Sequence, residues 1–167
     1  LAVMISATFV LMQIVTGAWT WQVSSVNIGA ATVFASVPWL HRFGDLVAPL
    51  TFIVAADVSV FSTCWDVGTD SGSQFFFLAG ASLVVLLLGI ERIVLASALA
   101  AVAAGLVIAV EFLVPHDTGL QPSWANSAGF VLTTVSVCVM VVVTVWFALR
   151  DTARAEAVME AEYDRSE

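Results

Sequence analysis

The chain has no lysine, and its five positive charges are all arginine. Charged residues make up 11% of the 167 residues against 60% hydrophobic, with a mean hydropathy of +1.02. A water-soluble domain needs more polar surface than this, so the expected class is a membrane protein. A formal net charge of −8 with few cations argues against nucleic acid as a partner. Cysteine is nearly absent. Cys64 and Cys138 give neither a metal spacing nor a disulfide framework, and both read as small apolar fillers. Glycine and proline are missing from Phe130 to Glu167, so nothing there stops a helix.

Six apolar runs are present. They cover about Leu1–Gly17, Val23–Leu40, Leu46–Trp65, Gln74–Ile90, Ile93–Val114 and Ser123–Leu149. Only Glu91 and Arg92 part the fourth run from the fifth. One helix across both would be about 60 Å long, twice the hydrocarbon thickness, so a hairpin is expected there. Arg42, Arg92, Arg150, Arg154 and Arg165 follow the second, fourth and sixth runs, and the other breaks hold only neutral and acidic residues. Arginines in short loops stay cytoplasmic, which makes Arg42, Arg92, Arg150 and Arg154 topology anchors. The expected fold is an all-α bundle of six transmembrane helices in the plasma (cell inner) membrane, with both termini cytoplasmic. Trp19, Trp21, Trp65 and Trp124 then fall at outer boundaries and Trp39 and Trp146 at inner ones, as interfacial rings prefer. Ala101, Gly105 and Ala109 form a stripe of small residues on the fifth run, expected to pack inside the bundle.

The last run predicts one helix from Phe130 to Glu167, about 57 Å long, of which about 30 Å spans the bilayer. The rest is a cytoplasmic stalk with a thin apolar side of Ala155, Val158 and Met159, suited to close pairing of two stalks. The chain starts without Met and stops inside this pattern, so it reads as part of a longer protein.

At the stalk the sequence resembles a known family. Trp146 to Glu167, with Ala153-Arg154-Ala155-Glu156-Ala157 and Met159-Glu160-Ala161-Glu162, is similar to the linker helix of mycobacterial membrane-bound class III adenylate cyclases. Leu40-His41-Arg42-Phe43-Gly44, Trp65-Asp66-Val67-Gly68-Thr69-Asp70 and Glu111-Phe112-Leu113-Val114-Pro115 extend the resemblance over nearly the whole chain. It implies a six-helix membrane domain at 1–149 and the start of a linker at 150–167. A catalytic domain would follow and convert ATP to cyclic AMP and pyrophosphate with Mg²⁺ or Mn²⁺ as a homodimer. No catalytic residue falls in this chain. Its implied roles are anchor, dimeriser and receptor.

Two groups of polar residues stand out as candidate sites. Asp57 sits near mid-depth of the third run, where an ionised carboxylate is costly and should face the bundle interior or be protonated. Asn27, Ser24, Ser25 and Thr63 are candidate hydrogen-bond partners. At the outer face, Asp66 and Asp70 are four apart, so a helical extension would put them on one side. Glu111, His116 and Asp117 lie nearby, without a cation to balance them. Such an oxygen-rich set suits a divalent cation or a cationic ligand, built mainly on Asp70 and Glu111. On the inner face, Glu91 can reach Arg42.

Two other functions compete with a cyclase anchor. A cation transporter would explain Asp57 and Glu111, although no run is broken at mid-depth and no inverted repeat is visible. A sensor coupled to a different cytoplasmic output is the other. An intramembrane enzyme finds no support, because His41 and His116 fall on opposite sides.

Overall fold

A computed structural model describes residues 2–17 and 20–166. Six helices follow one another: α1 (Ala2–Thr16), α2 (Trp21–Leu40), α3 (Val47–Val67), α4 (Phe75–Leu88), α5 (Ile93–Leu113) and α6 (Ser123–Ser166). Single 3-10 turns at His41–Phe43, Thr69–Ser71 and Ile90–Arg92 join α2 to α3, α3 to α4 and α4 to α5. No strand occurs among the described residues.

The expected hairpin between the fourth and fifth runs forms at Gly89. Its φ of +71° takes the chain out of α4, and Ile90–Arg92 then turns into α5. Only glycine adopts this geometry without a Cβ penalty. Other boundaries shift slightly. Trp21 and Gln22 begin α2 rather than sitting in the break, and α3 runs past Trp65 to Val67.

Two packing layers fix the directions of the central helices. In one layer, Cys64 near the end of α3 packs with Phe77 near the start of α4 and with Val110 and Val114 at the end of α5. In the other, Ile53 of α3 and Ala96 of α5 pack against Val84 and Leu88 of α4. Helices α3 and α5 are therefore parallel, and α4 runs opposite to both. A buried Ser24 hydroxyl donates to Gln13 Oε1 at 2.8 Å, tying the start of α2 to the end of α1. The start of α6 meets the same end of the bundle, where Phe130 packs edge-on against Phe75 with ring centroids 5.9 Å apart.

Outward surfaces are apolar. Ile90, Val94 and Phe112 are each more than four-fifths exposed. In water this would be an aggregating surface; against acyl chains it is the ordinary exterior of a membrane protein. The segments Trp21–Phe43, Val47–Val67, Ile90–Leu113 and Ser123–Ala157 are long and apolar enough to cross a bilayer, whereas Ala2–Val15 and Phe75–Leu88 are shorter. The 14 residues of α4 reach about 21 Å. Five tryptophans, Trp21, Trp39, Trp65, Trp124 and Trp146, are at least half exposed. Trp19 lies outside the described residues.

Helix α6 is unbroken over 44 residues, about 66 Å. Thr152 donates to Ala148 O at 3.0 Å, Arg150 lies over the Trp146 ring at 5.1 Å, and Arg154 meets Asp151 at 3.9 Å. Of the expected apolar side of the stalk, Met159 is exposed. The side chains of Val158 and Arg165 and the whole of Glu167 are outside the described set.

The small-residue stripe corrects an expectation. Ala101 and Gly105 are exposed, and a Cβ built at Gly105 meets nothing within 4 Å. Ala101 and Gly105 face away from this bundle, with Ala109 half-buried, because α4 covers the other side of α5 through Ala96, Ala103 and Val110.

Candidate functional site

At one end of the bundle two loops are zipped together. The Asp70 amide donates to His116 O at 2.9 Å and the Thr69 amide to Pro115 O at 3.4 Å. Gly68 makes this approach possible. Its φ is +97°, and a Cβ there would strike the carbonyl oxygens of His116 and Pro115. Thr69 Oγ1 also bonds His116 Nδ1 at 2.9 Å, and Thr118 Oγ1 donates to Asp66 O at 2.6 Å.

These bonds decide what the acidic residues can do. Gly68 ends α3 between Asp66 and Asp70, so the two do not share a helix face as their spacing suggested. Asp117 Oδ1 accepts from the Gly119 amide at 2.8 Å and from Asn126 Nδ2 at 3.3 Å. Asp70 and Asp117 border an open groove of about 390 Å³ at the start of α6, whereas Asp66, Glu111 and His116 do not line it. Among the described residues no three of His, Cys, Asp and Glu are grouped to hold a metal ion. The expected set of Asp66, Asp70, Glu111, His116 and Asp117 is thus a dispersed rim, with His116 already engaged by Thr69 of the facing loop and Asp117 by Gly119 and Asn126. On the opposite end, Glu91 makes no ion pair with Arg42, which instead lies over its neighbour Phe43 at 5.3 Å.

The second place is inside the bundle. A partly open cavity of about 100 Å³ lies among α1, α2, α3, α4 and α6. Among the described residues Asp57 is the one charged residue on its wall. Four rings border it in two pairs drawn from different helices. Phe34 of α2 and Phe52 of α3 sit 5.0 Å apart, and Phe9 of α1 meets Phe76 of α4 at 6.2 Å.

Of the partners expected for Asp57, Asn27 and Thr63 share this cavity. Ser24 is engaged with Gln13, and Ser25 donates to Gln22 O at 2.7 Å on an exposed face. None of the four bonds the carboxylate. Thr63 Oγ1 donates to Ser59 O and Ser59 Oγ to Ala56 O, both at 2.9 Å, while Asn27 Nδ2 donates to Val23 O at 2.9 Å. Asp57 has no hydrogen bond or ion pair among the described residues.

Sequence reasoning found Asp57 but missed Phe9, Phe34, Phe52, Phe76 and Ser6. The available signal was polar residues inside apolar runs, of which Ser6 is one.

The MASE7 family profile matches residues 1–163. The adenylate cyclase of Mycobacterium bovis is 68% identical over all 167 residues, and so are the adenylate cyclases of two strains of Mycobacterium tuberculosis. The match covers 100% of this chain and 38% of the length of each relative. A membrane-embedded apolar exterior, the extended final helix and these matches lead to one assignment: the chain belongs to the MASE7 family of membrane-associated sensor domains and is a homologue of the corresponding part of those adenylate cyclases.

Proposed function

We propose that this chain is the membrane anchor, dimerising element and sensor of a longer adenylate cyclase that converts ATP to cyclic AMP and pyrophosphate. Residues 1–149 form the membrane domain, and 150–167 begin the linker to a catalytic domain. The metal-dependent chemistry belongs to that following domain, and no step of it falls on these residues. The protein works as a homodimer, because two stalks leaving one membrane face can hold two catalytic domains in register.

The observation that carries this reading is the continuity of α6. It begins in contact with the zipped loops, through Gly129 against Ser71 and Phe130 against Phe75, and continues unbroken to Ser166. A rigid rod of this kind transmits a rotation or shift from one end to the other, provided that a ligand binds two arrangements unequally.

The proposed topology is six crossings of the inner membrane with both termini in the cytoplasm. The parallel α3 and α5 support it. Both are long enough to cross, and two parallel spans require the chain between them to return across the bilayer, which only α4 can do. The four arginines Arg42, Arg92, Arg150 and Arg154 then lie on one side, as the charge rule for short loops requires.

Helix phase tests the coupling. One alanine inserted after Ala155 turns everything beyond it by about 100°, whereas seven inserted residues restore the phase within about 20°. In membranes holding the full-length protein, the single insertion should change cyclic AMP formation several-fold, and the seven-residue insertion should return it towards the parent rate. Equal rates for all three proteins would refute transmission through α6.

A further inference from the structure

We infer that the Asp57 cavity is a binding site for an organic ammonium ion with a short apolar tail. The few polar groups on the cavity wall are mostly acceptors. Asp57 offers two carboxylate oxygens, and the oxygens of Ser59 and Thr63 keep lone pairs after donating their protons to Ala56 O and Ser59 O. Asn27 has turned one N–H to Val23 O. A carboxylate inside a membrane bundle is costly unless a donor or a cation meets it, and among the described residues no arginine or histidine borders this cavity. The occupant must therefore bring the N–H groups and the positive charge.

The rest of the wall selects among cations. A hard metal ion needs six or more oxygens, but the four rings Phe9, Phe34, Phe52 and Phe76 make this wall mainly apolar. Aromatic faces around a single carboxylate attract organic cations, through the ring quadrupole and the tail's own apolar surface. Volume limits the size. A dry cavity of about 150 Å³ holds benzene, so about 100 Å³ takes an ammonium head with a few carbons. A longer tail would leave by the open side. Because α1 closes the cavity through Phe9 and Ser6 while α6 contributes Met140, an occupant touches both the first helix and the output helix.

This inference does not depend on the cyclase reading, and its test reads binding rather than activity. The full-length protein in lipid nanodiscs is titrated with n-butylammonium, n-butanol and butyrate while its thermal midpoint is followed. Butylammonium should raise the midpoint saturably, and the neutral and anionic analogues should not. Asp57→Asn should weaken the response at least about 30-fold, as expected for removing one partner of a buried charge pair. Gly80→Leu is the independent variant. Gly80 lines the cavity, and a Cβ there meets nothing within 4 Å, so leucine fills the space without disturbing Asp57. It should abolish the response while leaving the midpoint without ligand at or above the parent value. A butylammonium response that survives in Gly80→Leu, or that butanol reproduces, overturns the proposal. No response in the parent protein overturns it too. Repeating the titration with n-decylammonium identifies the source. Affinity that climbs with chain length marks entry from lipid, and affinity flat in chain length marks entry from water; either supports the site.

Discussion

Gly68 is the residue on which the zipped end of the bundle depends. It combines a left-handed φ of +97° with carbonyl oxygens where a Cβ would go. Alanine there must strain the backbone and part the zipped loops, so Gly68→Ala should cost more than about 2 kcal/mol. A thermal midpoint in detergent checks this, and a midpoint equal to the parent would mean that the two loops are not held together. Thr133 poses the reverse case. Its side chain is fully buried in α6, and its hydroxyl has no partner among the described residues. A buried hydroxyl without a hydrogen bond is destabilising, so Thr133→Val, which keeps the shape, should raise stability by about 1 kcal/mol. A fall in the same melt would show that the hydroxyl has a use. Neither role was legible in the sequence. The carbonyls that a Gly68 side chain would strike lie 47 and 48 residues along the chain, and nothing in an apolar run marks Thr133 as buried.

At the scale of the element, the helices themselves were legible because the runs are apolar and the breaks hold glycine, proline and charge. What lay on each helix face was not. The stripe of Ala101, Gly105 and Ala109 announces a surface that permits close approach, but spacing says nothing of which neighbour occupies it. In the structure α4 takes the opposite side of α5. Gly105→Ala should therefore leave the midpoint of the isolated protein unchanged or slightly raised, since alanine favours the helix by up to about 1 kcal/mol and meets no atom of this bundle. A drop of comparable size would place a neighbouring helix on that face. The cavity was hidden for a related reason. Phe9, Phe34, Phe52 and Phe76 come from four helices, and no periodicity within any one of them relates the rings. Asp57 was visible only because a carboxylate in an apolar run is costly enough to be noticed alone. The acidic rim failed in the opposite direction. Residues adjacent in the topology were expected to converge, but Asp117 is held by Gly119 and Asn126, and His116 by Thr69 of the facing loop.

For the molecule as a whole, the open structural question is the return path between α3 and α5. At about 21 Å, α4 is shorter than the hydrocarbon core of about 30 Å. If α4 stayed on one side, α3 and α5 would have to cross in opposite directions. The packing layers forbid that, because Cys64 meets Val110 at one level and Ile53 shares the other with Ala96. On the proposed six-crossing topology the mismatch would be met at the ends of α4, where residues 72–74 and 89–90 extend the path and thin bilayer or flanking helices can cover the remainder. Both ends of α4 carry an exposed acidic residue, Asp70 and Glu91, which makes the point directly measurable. In a background of Cys64→Ala and Cys138→Ser, Asp70→Cys and Glu91→Cys should react with a membrane-impermeant maleimide from opposite sides, Asp70→Cys from outside in intact cells and Glu91→Cys only in inverted vesicles. Thr118→Cys should follow the first and Asp151→Cys the second, which extends the same test to α5 and α6. Reaction of both α4 sites from one side would remove the return crossing and the even number of spans with it. The final rod, with Arg150 and Arg154, would then share a face with Arg92 and lie opposite to Arg42.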